Sequence, residues 1–313
     1  MSGRNKWVGA LVAVGVLAAA APASAVPLPG WGLDRIDQRG FPLNDSYTPA
    51  ADGSGVTVYL IDTGLDVDNP QFGGRASLGR NFTGTAVSDC ADESGVSHGT
   101  FVAGIVGGTR TGVAPAATLV ELQALGCSEG GSTMTVAQQR RAVIDALNWI
   151  RVNAARPAVV NMSLTFKRSV RLDRAVGRLI DSGIPVVAAA GNEGADSCFK
   201  SPAHIPAVIT VAASTQRDRA WSGSNQGSCV DIWAPGKDIT SVLLDGGVIR
   251  YRFVGATSWA TPFVSGAVAL YLQRHPLASP AKVRRWLVRT STKDALTGVD
   301  PGTVNRLLFV GRL

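Results

Sequence analysis

The chain has 313 residues, 45% of them apolar and 17% charged, which excludes a disordered chain or a solvated helical rod and leaves a globular protein with a sizeable core. The net charge of +7 comes from scattered basic residues, with short pairs at Arg140-Arg141 and Arg284-Arg285 and no stripe that would track a phosphate backbone. Nucleic acid is therefore not an expected partner.

Residues 1–25 have the three parts of a secretory signal: a basic start at Arg4 and Lys6, an apolar stretch from Trp7 to about Ala21, and the small-x-small end Ala23-Ser24-Ala25. The apolar stretch is shorter than the roughly 20 residues a membrane span needs. Cleavage after Ala25, a secreted, extracellular product and no membrane association after cleavage are expected. Export into an oxidising compartment favours disulfides among Cys90, Cys127, Cys198 and Cys229. Four cysteines allow three pairings, and composition does not choose among them. No C-x-x-C spacing suggests zinc.

Pro27 to Gly55 reads as an irregular lead-in around Trp31-Gly32-Leu33. Short β-branched or apolar runs then recur at Val56–Ile61, Thr118–Leu125, Ala158–Leu164, Pro185–Ala190 and Val208–Ala213. Between them, Thr135–Asn153 and Leu172–Ser182 carry apolar residues at helical spacing. The strands are continuously apolar, as expected where helices cover both faces of a parallel sheet. The expected fold class is therefore α/β, a three-layer doubly wound, mostly parallel sheet. A hairpin at Ser241–Leu244 and Ile249–Val254, then helices at about Ser258–Arg274 and Ala281–Thr290, complete one domain over residues 26–313.

Three polar residues stand where apolar segments break at glycine-rich turns. Asp62 ends the first strand, His98 lies in Ser97-His98-Gly99-Thr100, and Ser258 precedes a helix with Pro262 read in its first turn. Taken singly, each has a plain structural reading: a turn aspartate, a satisfied polar histidine, a helix cap. Jointly they do not. Asp62 is followed by His98 36 residues on and Ser258 160 further, with Gly191-Asn192 at the end of a strand between them. A hydroxyl near a helix N-terminus suits a nucleophile that must face developing oxyanion charge. Gly95-Val96-Ser97-His98-Gly99 formally matches the G-x-S-x-G of α/β-hydrolase esterases, but the preceding Ser88–Ser94 is polar and lacks the strand that elbow needs.

On Tyr59-Leu60-Ile61-Asp62-Thr63-Gly64, Ser97-His98-Gly99-Thr100-Phe101-Val102-Ala103-Gly104, Ala189-Ala190-Gly191-Asn192 and Thr257-Ser258-Trp259-Ala260-Thr261-Pro262, the sequence resembles the subtilisin-like serine peptidases, and more closely their proteinase K branch. The similarity runs from Trp31 to Leu308. It implies a serine endopeptidase acting on protein or peptide substrates, with Asp62, His98 and Ser258 as triad and Asn192 as oxyanion donor. A monomer is expected. The resemblance further implies that substrate adds as a strand between the Gly130, Gly131, Ser132 segment and the Ser163, Leu164, Thr165 segment, with Ala189, Ala190 and Gly191 beside it.

The resemblance also pairs Cys90 with Cys127 and Cys198 with Cys229, and implies a structural Ca²⁺ held by the carbonyls of Pro206 and Val208 and the carboxylate of Asp231, with no organic cofactor. Three departures stand out. Ala256 replaces a usual glycine, and Thr165-Phe166 replaces a Gly-Gly, adding bulk expected beside the S1 pocket. No propeptide is evident between Ala25 and the mature-like start. Together they leave an alternative, a catalytically impaired subtilisin-fold binding module.

Overall fold

The computed structural model describes residues 29–84, 96–126, 134–251 and 254–311. Its helices are α1 (Trp31–Ile36), α2 (His98–Gly107), α3 (Val136–Asn153), α4 (Val170–Asp181), α5 (Thr257–Arg274) and α6 (Pro280–Thr290). Its strands are β1 (Thr57–Asp62), β2 (Ala76–Asn81), β3 (Thr118–Gln123), β4 (Ala158–Met162), β5 (Phe166–Lys167), β6 (Val186–Ala189), β7 (Lys200–Ser201), β8 (Ile209–Ser214), β9 (Ile232–Pro235), β10 (Thr240–Val242), β11 (Val248–Arg250), β12 (Thr292–Lys293) and β13 (Arg306–Leu307).

Among the described residues, nine strands form one sheet in the order β12-β13-β9-β8-β6-β4-β1-β3-β2, parallel throughout except for the β12–β13 pair. The central strands β1, β4, β6 and β8 are buried along their whole length. Such strands need a helix layer on each face, and the core divides accordingly. Val58 and Leu60 of β1 pack with Phe101 of α2 and Val264 of α5 on one face. Tyr59 and Ile61 pack with Leu147 of α3 and Val176 of α4 on the other. The period-2 alternation of a strand therefore turns Asp62, the next even position, toward α2.

The expected helices form close to their expected bounds, and the hairpin forms as β10 and β11, with β11 ending at Arg250 rather than at the expected Val254. Thr135 caps α3 with a capping box closed by Gln138. Other elements differ. The short apolar segment after His98 is a ten-residue helix, α2, in which every residue after His98 is buried. The lead-in contains α1, and β2 is an edge strand of mixed burial with a register shift between Leu78 and Arg80. Its exposed face breaks the continuous apolar pattern that marks the inner strands. Pro262 lies inside α5 as its sixth residue rather than in its first turn.

The site follows from strand order. The chain leaves β1 toward β2 and α2 on one face, and leaves β4 toward α4 on the other, although β1 and β4 are neighbours. A crevice opens at the carboxyl ends of such a pair. Asp62 ends β1, Ser163 directly follows β4, and Asn192 follows β6.

Candidate active site

Asp62 is fully buried, and its Oδ1 accepts hydrogen bonds from the Thr63 N–H at 2.8 Å and from His98 Nδ1 at 2.6 Å. His98 opens α2, directly before Gly99, where any side chain would strike the Gly64 carbonyl. The glycine lets α2 start hard against the end of β1, which brings the imidazole to Asp62. Burial pulls the imidazolium down, but the charge and hydrogen bond of Asp62 outweigh it and raise His98 above its ordinary value. Trp259, the residue after Ser258, packs its ring at a tilt 5.0 Å from the His98 ring and 4.6 Å from Phe101, setting the imidazole against the first turn of α5.

Ser258 is the second residue of α5 and is 8% exposed. Rather than donating to His98, its hydroxyl donates to the Ser163 carbonyl at 3.0 Å. The Ser163 hydroxyl returns a bond to the Ser258 carbonyl at 2.9 Å. Pro262 explains the second bond, because proline has no N–H to give the carbonyl four residues back. Ser163 fills that vacancy and is itself held by Asn161 Nδ2 at 3.0 Å, whose Oδ1 accepts from Ser265 of α5 at 2.8 Å.

Asn192 is oriented through its oxygen. Its Oδ1 accepts from the Thr257 N–H at 2.8 Å and the Thr257 hydroxyl at 2.7 Å, which turns the amide Nδ2 away from the helix. The Thr257 hydroxyl also accepts from the Gly191 N–H at 3.1 Å. Gly191 has φ +108°, open to glycine but strained for other residues, and a side chain there would collide with Asn225. Asn225 braces the loop through the Ala190 carbonyl and the N–H groups of Glu193 and Ala195.

Sequence reasoning missed Asn161, Ser265 and Asn225. Asn161 had a signal, as one amide in the otherwise apolar Ala158–Met162 strand, while the other two acquire their meaning only through distant partners.

Two of the departures expected at the cleft, Ala256 and Phe166, take ordinary structural places. Ala256 has φ −156° and ψ 143°, extended backbone that alanine adopts without strain. Phe166 is buried in the α3/α4 core and its strand pairs with β7, so its ring adds no bulk to the cleft, while Thr165 is half-buried. Leu164, Ala189, Ala190 and Gly191 are buried around the crevice. Gly130, Gly131, Ser132, Cys90 and Cys127 lie outside the described residues, as does the leader. Cys198 and Cys229 form a disulfide with Cα atoms 5.3 Å apart.

The calcium expectation does not fit. Asp231 Oδ1 is clasped by the Arg284 guanidinium through Nε at 2.9 Å and through Nη2, and Oδ2 accepts the Thr210 N–H at 2.9 Å. A guanidinium charge occupies the side of the carboxylate that an ion needs, and Pro206 and Val208 contribute only carbonyls. Among the described residues, no group of three or more His, Cys, Asp or Glu could hold a metal ion.

Residues 53–307 match the subtilase family, peptidase S8. The chain belongs to this family. This subtilase is 44% identical over 279 residues to the alkaline serine exoprotease A of Vibrio alginolyticus, covering 89% of this chain and 50% of that protein. It is 42% identical over 281 residues to the extracellular serine proteinase of Thermus sp. (strain Rt41A), covering 89% of this chain and 65% of that protein. The subtilase thus spans between half and two thirds of the length of these relatives. The crystal structure of a cold-adapted subtilisin-like serine proteinase superposes with a TM-score of 0.80 at 40% identity, over 92% of this chain and 99% of that one.

Proposed function

We propose that this subtilase is an extracellular serine endopeptidase that cleaves peptide bonds through an acyl-enzyme. The observation that carries the reading is the 2.6 Å bond from His98 Nδ1 to Asp62 Oδ1, with that imidazole packed beside the helix turn that presents Ser258. Rotation of the Ser258 side chain between staggered wells releases the Ser163 carbonyl and brings the hydroxyl to the imidazole. Ser258 attacks the substrate carbonyl, His98 takes its proton and returns it to the leaving amine, and Asp62 holds the tautomer and steadies the imidazolium. The Asn192 amide and the Ser258 N–H at the α5 N-terminus receive the oxyanion. Substrate lies as an added strand along Ser163–Thr165 and Gly130–Ser132, beside Ala189–Gly191.

The names of the Vibrio and Thermus relatives, a serine exoprotease and an extracellular serine proteinase, support the chemistry and the export. Residues 1–25 act as the export leader, so the secreted chain begins at Val26 and works as a monomer without an organic cofactor. Whatever calcium the family commonly takes is not held through Asp231 here. The binding-module alternative rests on one observation, the Ser258 hydroxyl turned to Ser163. An internally quenched peptide blocked at both ends distinguishes them: an endopeptidase cleaves it and the Ser258→Ala variant does not, whereas a folded wild-type chain that leaves it intact overturns the reading.

A further inference from the structure

Glu121 lies on β3 and is fully buried, with no cation paired to it among the described residues. In the β1–β3 register Glu121 stands opposite Leu60 and Gln123 opposite Asp62, so Glu121, Gln123 and Asp62 share the sheet face that α2 covers. Glu121 Oε1 accepts the Gly64 N–H at 3.2 Å, and the Gln123 amide nitrogen donates to the Thr63 carbonyl at 2.9 Å. What remains, among the described residues, is three buried oxygens without a donor: Asp62 Oδ2, Glu121 Oε2 and Gln123 Oε1. Buried acceptors without donors are costly, and two ionised carboxylates that repel each other away from solvent are costlier still. Protonating one carboxyl removes a charge and turns an acceptor into a donor.

We propose that Glu121 is a neutral carboxylic acid in the folded enzyme and donates its Oε2 proton to Asp62 Oδ2, making it a positioning residue for the carboxylate that orients His98. The surroundings agree. Of the titratable groups around it, α2 brings only His98, already bonded to Asp62 on the other oxygen. On the β2 side the Arg75 guanidinium is taken by the carbonyls of Ala117 and Gly107, and Arg80 lies over Phe82. On the loop after β1, Asp66 accepts from Asn69 and Asp68 is exposed. Burial, and then the charge of Asp62, push the Glu121 carboxyl well above the usual carboxylate range. The two Asp62 oxygens then divide the work, with Oδ1 holding His98 and Oδ2 anchored from below.

This inference rests on the triad reading, and its test separates the two. The rising limb of kcat/KM against pH is compared for wild type, Glu121→Gln and Glu121→Leu, and the infrared stretch of a protonated carboxyl is followed at about pH 8, well above ordinary carboxylate values. Glutamine is neutral and can accept from Gly64 while donating to Asp62, so Glu121→Gln leaves the limb in place. Leucine strips Asp62 of a donor, makes the carboxylate more basic and moves the limb about half a unit to one unit higher, with the loss falling on kcat rather than KM. The protonated-carboxyl band is present in wild type and absent from Glu121→Gln. A limb that moves lower in Glu121→Gln means that Glu121 is ionised and overturns the proposal. So does a Glu121→Leu variant that loses only thermal stability, or a wild type without the band. The infrared measurement needs no turnover and only the Glu121→Gln variant, so it decides the proposal even if Glu121→Leu does not fold or the chain proves inactive.

Discussion

Asn192 shows how much chemistry can hang on the orientation of one amide. Thr257 takes both bonds at its oxygen, so the nitrogen is left free for the oxyanion role proposed above. Asn192→Ala is expected to lower kcat by about 10²–10³ with KM little changed, as steady-state kinetics will show. His98 must be neutral to accept a proton, and Asp62 holds it above its ordinary value, so activity should rise through a pH range higher than that of a free histidine. Asp62→Asn should drop kcat by about 10⁴ and remove that upward shift. The linkage has a matching sign in stability: a raised imidazole contributes fully below its ordinary value, and the contribution is lost as pH rises through the raised one. At this scale the sequence is most readable where function sits in local motifs. Asp62 ends β1, His98 opens α2, Ser258 is in the first turn of α5 and Asn192 follows β6, each inside a recognisable run. Asp231 is not legible in the same way, because the group that decides its role, Arg284, lies 53 residues away. Glu121 shows along the chain only as one carboxyl inside the Thr118–Leu125 run, and its meaning depends on Asp62, which belongs to another strand.

Within the α5 helix, backbone chemistry meets the proposed nucleophile. Proline inside a helix removes a backbone bond, and here the bond is lost at the carbonyl of Ser258 itself. The Ser163 hydroxyl repairs it and ties the end of β4 to the start of α5. Ser163→Ala should leave a buried carbonyl and the Asn161 amide short of partners, costing about 1–3 kcal/mol in urea unfolding. Apolar periodicity makes α3, α4, α5 and α6 legible because each has one face or more in the core. The α2 helix is only partly legible because its polar first residues look like a loop until Asp62 and Gly64 are placed beside them. Helical spacing also gathers what looks scattered in the sequence: Arg171, Arg174 and Arg178 of α4 line a groove with Arg140 and Arg141 of α3.

For the whole molecule, parallel order and the switch between β1 and β4 put every proposed catalytic group at one sheet edge, and the alternation of apolar runs and helices announces that architecture. Small pairings at the periphery, β5 with β7 and β12 with β13, leave no such signal because two-residue strands carry no pattern. Arg284 bonding to Asp231 joins α6 to the entry of β9 without a metal. Arg284→Ala should leave Asp231 buried without its guanidinium, lowering the melting temperature by a few degrees, with a loss of about 1–3 kcal/mol that a chelator added to wild type does not reproduce. The central claim is that one hydroxyl, activated by one imidazole, does the chemistry. Its most direct measurement is intact mass and peptide mapping after treatment with a fluorophosphonate across a range of pH. The expected result is a single adduct on Ser258, formed at a rate that climbs as His98 loses its proton and absent from His98→Ala on the same timescale. A folded chain that takes no adduct, or takes it at another residue, would contradict the account.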